Sequence, residues 1–326
     1  MVTTIVRIDE FGDTYFDIMD FELAQFVLGD SLLMAIDGKT FEVPFHSGPY
    51  CKMFEPVLVR KKDKIFLSIR HGNAAEKFGI HQNQQIVFSL LAPKKFWEKE
   101  NAYSFEEITN ESVYKTKEEF ANFRSVMPGK GLFYRSSSPI DDAYGRAKSV
   151  VYCIEKYKIK TIIDMADSEN ELRNLIDTID DGTRLTMQTR KIYAIGDDSG
   201  LYSQKFADSV LTAMKLIISV ETPCLIHCRA GKRRSGFICA IIQALRGMNA
   251  EQIMEDYMIS YENNNKVTYL DNPKRYEYLK NDTIKKILQH INGIDLSCLK
   301  KTTKNYLKNI GLTCEEISLL EQKVCQ

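Results

Sequence analysis

The chain has no net charge: its 44 lysines and arginines are matched by 44 aspartates and glutamates. A neutral protein sets up no global field to draw in nucleic acid or a membrane surface, so any preference for anions has to be local. No apolar run approaches the ~18 residues a membrane helix needs, so no integral membrane contact is expected. The start, Met1 to Glu10, lacks a basic stretch followed by an apolar one, so no signal peptide is expected. The histidines, His46, His71, His81, His227 and His290, show no metal-ligand spacing. The eight cysteines show no repeated spacing either, and Cys224 and Cys228 share one strand rather than forming a zinc knuckle. Internal repeats and low-complexity tracts are missing. These absences predict no metal, no other cofactor, no nucleic-acid partner and a reducing, cytoplasmic setting.

What remains is an ordinary globular composition, 44% hydrophobic and 27% charged, at a length of 326 residues that suits two domains. Residues 1–92 are β-rich. Ile5 to Ile8 opens a strand, and the runs Leu32 to Ile36 and Thr40 to Phe45 flank Asp37-Gly38, a strong hairpin signal. Phe41, Val43 and Phe45 alternate with Glu42 and Pro44, the period of a half-buried strand. Val57 to Arg60 and Ile65 to Ile69 flank a charged turn, and Gln85 to Leu90 closes the region. Residues 93–114 are polar and charged and are expected to be a linker.

From 115 to 326 the texture changes. Thr116-x-x-Glu119 is a capping-box pattern. Strands are expected at Leu132 to Arg135, Lys160 to Asp164, Ile192 to Ile195 and Pro223 to His227, with helices at Asp141 to Tyr157 and Gln204 to Val220. That alternation predicts a mostly parallel sheet flanked by helices. Beyond Arg234 the pattern is almost wholly helical. Asn249 is placed to cap Ala250 to Ser260, and Thr313-x-x-Glu316 is a second capping box.

One stretch carries chemistry. Residues 223–236 read Pro-Cys-Leu-Ile-His-Cys-Arg-Ala-Gly-Lys-Arg-Arg-Ser-Gly. An apolar strand delivers Cys228 into a loop containing Gly231, and a helix follows. Strand, tight loop and helix start build an anion cradle of inward N–H groups under the positive end of a helix. A thiol at its base ionises readily, and the thiolate is the nucleophile. Arg234, six residues on, can grip two phosphate oxygens with its planar fork. Ser235 is placed to donate to the departing thiolate, or is simply a helix-start hydroxyl. Arg229, Ala230, Gly231, Lys232 and Arg233 form the rest of the expected substrate-binding loop. Its three cations either meet extra phosphates of the substrate or only tune the loop potential. A leaving alkoxide or phenoxide needs a proton, so a carboxylic acid belongs above the cradle.

The segment resembles the signature loop of the cysteine-dependent protein tyrosine phosphatase superfamily. More of the chain, about 115–326, resembles its bacterial tyrosine phosphatase-like family. The carrying residues are Asn122-Phe123-Arg124 with Gly131 to Ser136, Ile162-Ile163-Asp164 with Glu169 and Glu171, Glu255-Asp256-Tyr257 with Ser260, and Tyr306-Leu307 with Gly311-Leu312-Thr313 and Glu315-Glu316-Ile317. The resemblance implies an α/β cysteine-phosphatase fold and hydrolysis of phosphate monoesters through a phosphocysteine on Cys228, of the tyrosine or dual-specificity type. It implies a general-acid aspartate about thirty residues before the cysteine. Asp197 and Asp198 lie 31 and 30 residues before it, bracketed by Gly196 and Gly200; Asp197 is preferred and Asp198 stays open. The superfamily's alternative, an acid just before the arginine, is excluded because Arg233 stands there. His227 is implied to orient the loop, or is a simple buried histidine; Asp164, Glu169 and Arg135 either brace the loop by ion pairing or are ordinary surface charge. The Ala-Gly-Lys core resembles phosphatases of phosphoinositides, so the expected partners are a phosphorylated protein, a phosphorylated small molecule or a lipid headgroup.

The first region resembles the C-terminal β-barrel of the adenosyl-forming S-adenosylmethionine hydrolase family, in Ile8 to Asp13, Pro44 to Tyr50, and His71 to Ala75 with Gly79-Ile80. It departs at Asp13, where that family has asparagine, and the partner domain with the catalytic aspartates is absent. The expectation is a small barrel reused for nucleoside binding or homo-oligomerisation, without hydrolase activity. Asn73 is its candidate binding residue, against an ordinary turn asparagine. The alternative for the whole chain is a catalytically weak phosphate-ligand sensor; a sulfur-transfer enzyme is disfavoured because Arg and Ser after the cysteine suit phosphate better than persulfide.

Overall fold

The computed structural model describes residues 1–51, 54–70, 72–127, 129–196 and 199–326. The chain divides into two compact units, Met1–Phe105 and Glu106–Gln326.

The first unit is a closed barrel of seven strands: β1 (Val2–Ile8), β2 (Thr14–Phe16), β3 (Ser31–Ile36), β4 (Lys39–His46), β5 (Pro56–Lys61), β6 (Lys64–Ile69) and β7 (Gln85–Ala92), in the order β1-β2-β6-β5-β4-β3-β7. Pairing of Val2 with Val87 closes it, which leaves no open sheet edge. The β3–β4 hairpin turns on Asp37 and Gly38, both at positive φ (48° and 75°). Val43 and Phe45 point into the core, as the alternation predicts. Phe16, Phe21, Phe45 and Phe88 pack there with ring centroids 5.4–6.2 Å apart. Two short helices, α1 (Ile18–Leu23) and α2 (Ala74–Phe78), sit in the connections.

The segment expected to be a linker, 93–114, is folded. Helix α3 (Trp97–Tyr103) belongs to the barrel unit. Its Glu100 accepts from His46 Nδ1 at 2.9 Å and from the Ser47 N–H at 3.0 Å, with both side chains almost fully buried. The polar composition misled because buried hydrogen bonds to Glu100 and the stacking of Tyr103 on Tyr50, at 5.2 Å between ring centroids, tie this helix down in place of an apolar stripe.

The second unit is built on β8 (Arg124–Met127), β9 (Lys130–Ser136), β10 (Thr161–Asp164), β11 (Lys191–Ala194) and β12 (Cys224–His227), in the order β11-β10-β12-β9-β8. The pairs among β11, β10, β12 and β9 are parallel, and β8 is antiparallel to β9. The helices are α4 (Lys117–Phe120), α5 (Ala147–Lys156), α6 (Glu169–Ile176), α7 (Asp181–Gln188), α8 (Gln204–Ser219), α9 (Arg233–Leu245), α10 (Ala250–Asn265), α11 (Pro273–Asp282), α12 (Ile284–Asn292), α13 (Leu299–Asn309) and α14 (Cys314–Cys325). Every residue of α9 from Ser235 onward is buried, and α10, α12, α13 and α14 pack against it. Thr116, Asn249 and Thr313 cap α4, α10 and α14.

Two helical expectations differ from the fold. The helix expected from Asp141 starts only at Ala147, because Asp142 Oδ1 accepts from the Ala147 N–H and Gly145 turns at φ 66°. Helices α6 and α7, unforeseen, start at side-chain caps from Ser168 and Asp180. No helix among the described residues is long and apolar enough to cross a membrane.

Candidate active site

Strand β12 lies between β10 and β9 and ends at His227, so residues 228–232 leave the middle of the sheet and run straight into α9. Gly231 sits at φ 63°, and a Cβ there would stand 2.2 Å from the Ser136 carbonyl oxygen; only glycine allows the loop to press against β9.

The loop's carbonyls are all engaged. The Ser138 N–H donates to Arg229 O at 3.0 Å. Asn122 Nδ2 donates to Ala230 O and Gly231 O, both at 3.1 Å, and Asn264 Nδ2 to Ala230 O at 2.9 Å. Arg135 Nη2 donates to Gly231 O at 3.0 Å and Lys232 O at 3.2 Å. The peptide unit is planar, with C=O and N–H opposed. Tying four successive carbonyls to the surrounding protein therefore turns the N–H groups of Ala230, Lys232 and Arg233 away from those partners. The Gly231 N–H also closes a turn on Cys228 O at 3.2 Å.

Cys228 is buried, 6% exposed, with Sγ 3.4 Å from Ser235 Oγ. These two expected residues are brought together. Arg234 Nη1 bonds the carbonyls of Met165 and Ala166 at 3.3 and 3.1 Å, which fixes the guanidinium against the segment after β10. Arg229 is mostly exposed and pairs with Asp141 at 2.6 Å. Arg233 is exposed at the first position of α9. Lys232 is turned inward: its Nζ bonds Asn265 Oδ1 at 2.9 Å, lies 3.8 Å from Glu107 and sits 4.3 Å from the centre of the Tyr261 ring. Burial lowers its pKa to about 8. The aspartates chosen as general acid, Asp197 and Asp198, lie outside the described residues, as does His71. The approach to them is placed: Ile195 N bonds Asp164 O at 2.9 Å and Gly196 N bonds Asp167 O at 3.0 Å.

Beside the loop lies a buried titratable group of three. His227 Nδ1 is 3.8 Å from Asp164 Oδ1, with both residues inaccessible. Burial lowers His227 to about 4 and raises Asp164 to about 6. Asp167 rises to about 7, through burial first and then the charge of Asp164. Of the expected braces, Arg135 contacts the loop directly. Glu169 does not; it pairs with Arg173 at 3.7 Å on an exposed face of α6, where the first turn of a helix suits a carboxylate.

The roles of several residues named by resemblance emerge only from the structure. Asp256 on α10 receives Arg124 Nε at 2.9 Å and Arg135 Nη1 at 3.1 Å. Burial acts to raise its carboxyl, but the two arginines outweigh this and hold it below the usual range. Arg124 also reaches Asp256 O, Ser260 Oγ and Asn122 Oδ1. Two motifs that looked separate, Asn122-Phe123-Arg124 and Glu255 to Ser260, are thus one network. The consecutive asparagines 263–265 carry no signal of their own in the sequence, because asparagine is common at helix ends. In the barrel, Asn73 caps α2 through the Glu76 N–H at 2.8 Å, the turn role. Among the described residues, no group of three His, Cys, Asp or Glu side chains is placed to hold a metal ion.

A sequence profile described as the tyrosine phosphatase family matches residues 122–326, more than half of the chain. Among solved structures, the chain is similar to the core catalytic domain of the PP-IP phosphatase SIW14 from S. cerevisiae, at 26% identity and a TM-score of 0.33, covering 54% of this chain and 95% of that one. It is similar to TpbA of P. aeruginosa in complex with pTyr, at 16% identity and a TM-score of 0.32, covering 56% and 96%. A third similarity is to an uncharacterized conserved protein from Thermotoga maritima, at 12% identity and a TM-score of 0.25; it covers 27% of this chain and only 35% of that one. No curated protein matches the sequence.

Proposed function

The chain belongs to the tyrosine phosphatase family, whose members are cysteine-based phosphatases, and from that premise we propose that it hydrolyses phosphate monoesters in two steps through a phosphocysteine on Cys228. The thiolate attacks phosphorus, an S–P bond forms and the P–O bond to the leaving group breaks. A carboxylic acid, Asp197 or Asp198, gives its proton to the departing oxygen. Water then attacks the phosphocysteine, the same carboxylate takes the water's proton, and the S–P bond breaks to release inorganic phosphate.

The loop N–H groups and Arg234 hold the equatorial oxygens throughout, so positioning and charge stabilisation supply most of the acceleration. Ser235, 3.4 Å from the sulfur, donates to the thiolate as it leaves. The proposed substrates are phosphotyrosine in proteins or phosphoinositide headgroups, whose additional charge meets Arg229 and Arg233 at the exposed rim. The proposed phosphatase domain is residues 115–326, and the barrel is proposed as a binding or oligomerising module.

The observation that carries this reading is a buried cysteine at the base of a loop whose four following carbonyls are all tied outward. The test is turnover of an aryl phosphate by the full chain and by Cys228→Ser. Loss of turnover in the variant with tungstate binding kept is the expected result. Equal turnover in both proteins overturns the assignment, and oxyanion binding without turnover in the wild type favours a phosphate sensor instead.

A further inference from the structure

We infer that Asn264 and Asn122 are positioning residues for the phosphate cradle, held in place by the end of α10; the inference rests on the phosphatase reading and goes beyond it. The last carbonyls of a helix lack intrahelical partners and are usually left to water. Here they are taken by protein. Tyr114 Oη donates to Asn263 O at 2.5 Å, the Ile108 N–H to Asn264 O at 3.0 Å, and Arg146, itself 1% exposed, reaches Asn263 O and Asn264 O at 3.4 and 3.3 Å. The helix end is therefore fixed, and three successive side chains project from it toward the loop. Asn263 Nδ2 donates to Asn122 Oδ1 at 3.3 Å, Asn264 Nδ2 to Ala230 O at 2.9 Å, and Asn265 Oδ1 accepts from Lys232 Nζ at 2.9 Å.

The geometry also settles which way the two key amides face. Asn122 Oδ1 is held twice, by Asn263 and by Arg124 Nη1 at 2.7 Å, so its Nδ2 has to face the loop. Asn264 is fully buried, and among the described residues its Oδ1 has no hydrogen-bond partner. A purely structural asparagine in a core satisfies both ends, because an unmet buried acceptor is costly. Asn264 is satisfied only where it touches the cradle. Both amides converge on Ala230 O, so each holds from a different element the peptide plane whose Gly231 N–H closes the turn on Cys228 O at 3.2 Å, and Asn122 also holds Gly231 O; rotation of that plane opens the turn that seats Cys228 beneath the loop.

The test compares Asn264→Ala, Asn122→Ala and the double variant with Thr303→Val, which removes a similarly buried hydrogen bond to Asn292 at 2.8 Å outside the site. Four quantities are read in the full chain: the tungstate dissociation constant, the pH profile of Cys228 alkylation by iodoacetamide, kcat and KM for an aryl phosphate, and the thermal midpoint. Each asparagine variant is expected to weaken tungstate roughly ten-fold, to move the alkylation profile to higher pH and to lower kcat/KM ten- to hundred-fold, short of the 10²–10³ of losing a donor outright. The double variant falls short of the product of the singles, because both act on one carbonyl. Thr303→Val shifts only the thermal midpoint. Asparagine variants that lower the midpoint while keeping wild-type oxyanion affinity and alkylation profile reduce the pair to structural residues and overturn the inference. If Asn264→Ala does not fold, Asn122→Ala decides alone. A wild type without Cys228-dependent turnover fails the phosphatase reading instead, which is a separate result.

Discussion

In the barrel, buried polar side chains stitch neighbouring segments together one pair at a time. His46 meets Glu100, and Asp30 takes the N–H groups of Val27 and Lys94 at 2.9 and 2.8 Å. In the second unit the buried polar side chains converge. Asn122, Asn264 and Arg135 reach the signature loop, Asn265 takes its Lys232, and Asp256, Arg124 and Arg146 hold those in turn. Every such group costs free energy to remove from water, and local pairing offsets that cost wherever the chain needs a tie. Convergence on five residues makes sense when one short segment has to be held rigid, as an anion cradle must be. The contrast separates a scaffold from a site without reference to any motif.

The largest effect that would test this contrast is on chemistry. Replacing the proton donor, Asp197→Ala or Asp198→Ala, is expected to slow an alkyl phosphate by about 10²-fold or more while sparing a good aryl leaving group. A leaving-group series in both variants checks it, and a flat series in both means the acid lies elsewhere.

Next come two buried carboxylates, one in each unit. Asp256→Ala strands two guanidiniums and is expected to cost about 3–5 kcal/mol and to reduce turnover along with stability. Glu100→Ala in the barrel is expected to cost about 1–3 kcal/mol and to leave kcat unchanged. Urea denaturation with parallel assays reads both; a fall in kcat with Glu100→Ala breaks the scaffold-against-site distinction.

The pH dependence sharpens it further. Asp164 and Asp167 hold protons more tightly folded than unfolded, at about 6 and about 7. Their contribution is full at low pH and is lost as pH rises through those values. His227, lowered from 6.5 to about 4, contributes in the opposite sense: its share is present above 6.5 and is lost as pH falls toward 4. Between about pH 6.5 and 7 the aspartates outweigh the opposing shares of His227 and of Lys232, which is lowered to about 8, so the second unit is expected to lose stability with rising pH there, by less than about 1.4 kcal/mol per pH unit. Thermal melts across that window check it, with Asp167→Asn expected to flatten the slope.

The smallest effect is at the rim. Asp141→Asn frees Arg229 from its carboxylate at 2.6 Å. Stability is expected to change by less than about 1 kcal/mol, since the pair is exposed on one side. KM for a polyphosphorylated substrate is expected to fall about two- to five-fold relative to a monophosphate, because a second phosphate no longer competes with Asp141. An unchanged ratio assigns Arg229 to loop potential alone.

Much of both units was legible in the chain order of residues. The β3–β4 hairpin followed from Asp37-Gly38 and the alternation beyond it, and the strand-loop-helix at 223–236 from its apolar run and glycine. Helix α3 was not legible, because it is anchored by Glu100 and His46, 54 residues apart. The delayed start of α5 was hidden as well, since side-chain bonds from Asp142 compete with the helix there.

By itself the sequence determined what is local: strand periods, caps, and a nucleophile, glycine and arginine at fixed separations on one loop. Only the tertiary structure decided which way that loop faces. Its carbonyls are held by Asn122, Arg135 and Asn264, which lie 34 to 109 residues from their partners, and such pairings leave no periodic trace. Lys232 shows the same division. Its place in the loop reads as a ligand for phosphate, yet burial against Asn265, Glu107 and Tyr261 turns it inward, because the direction of a side chain is set by what packs around it.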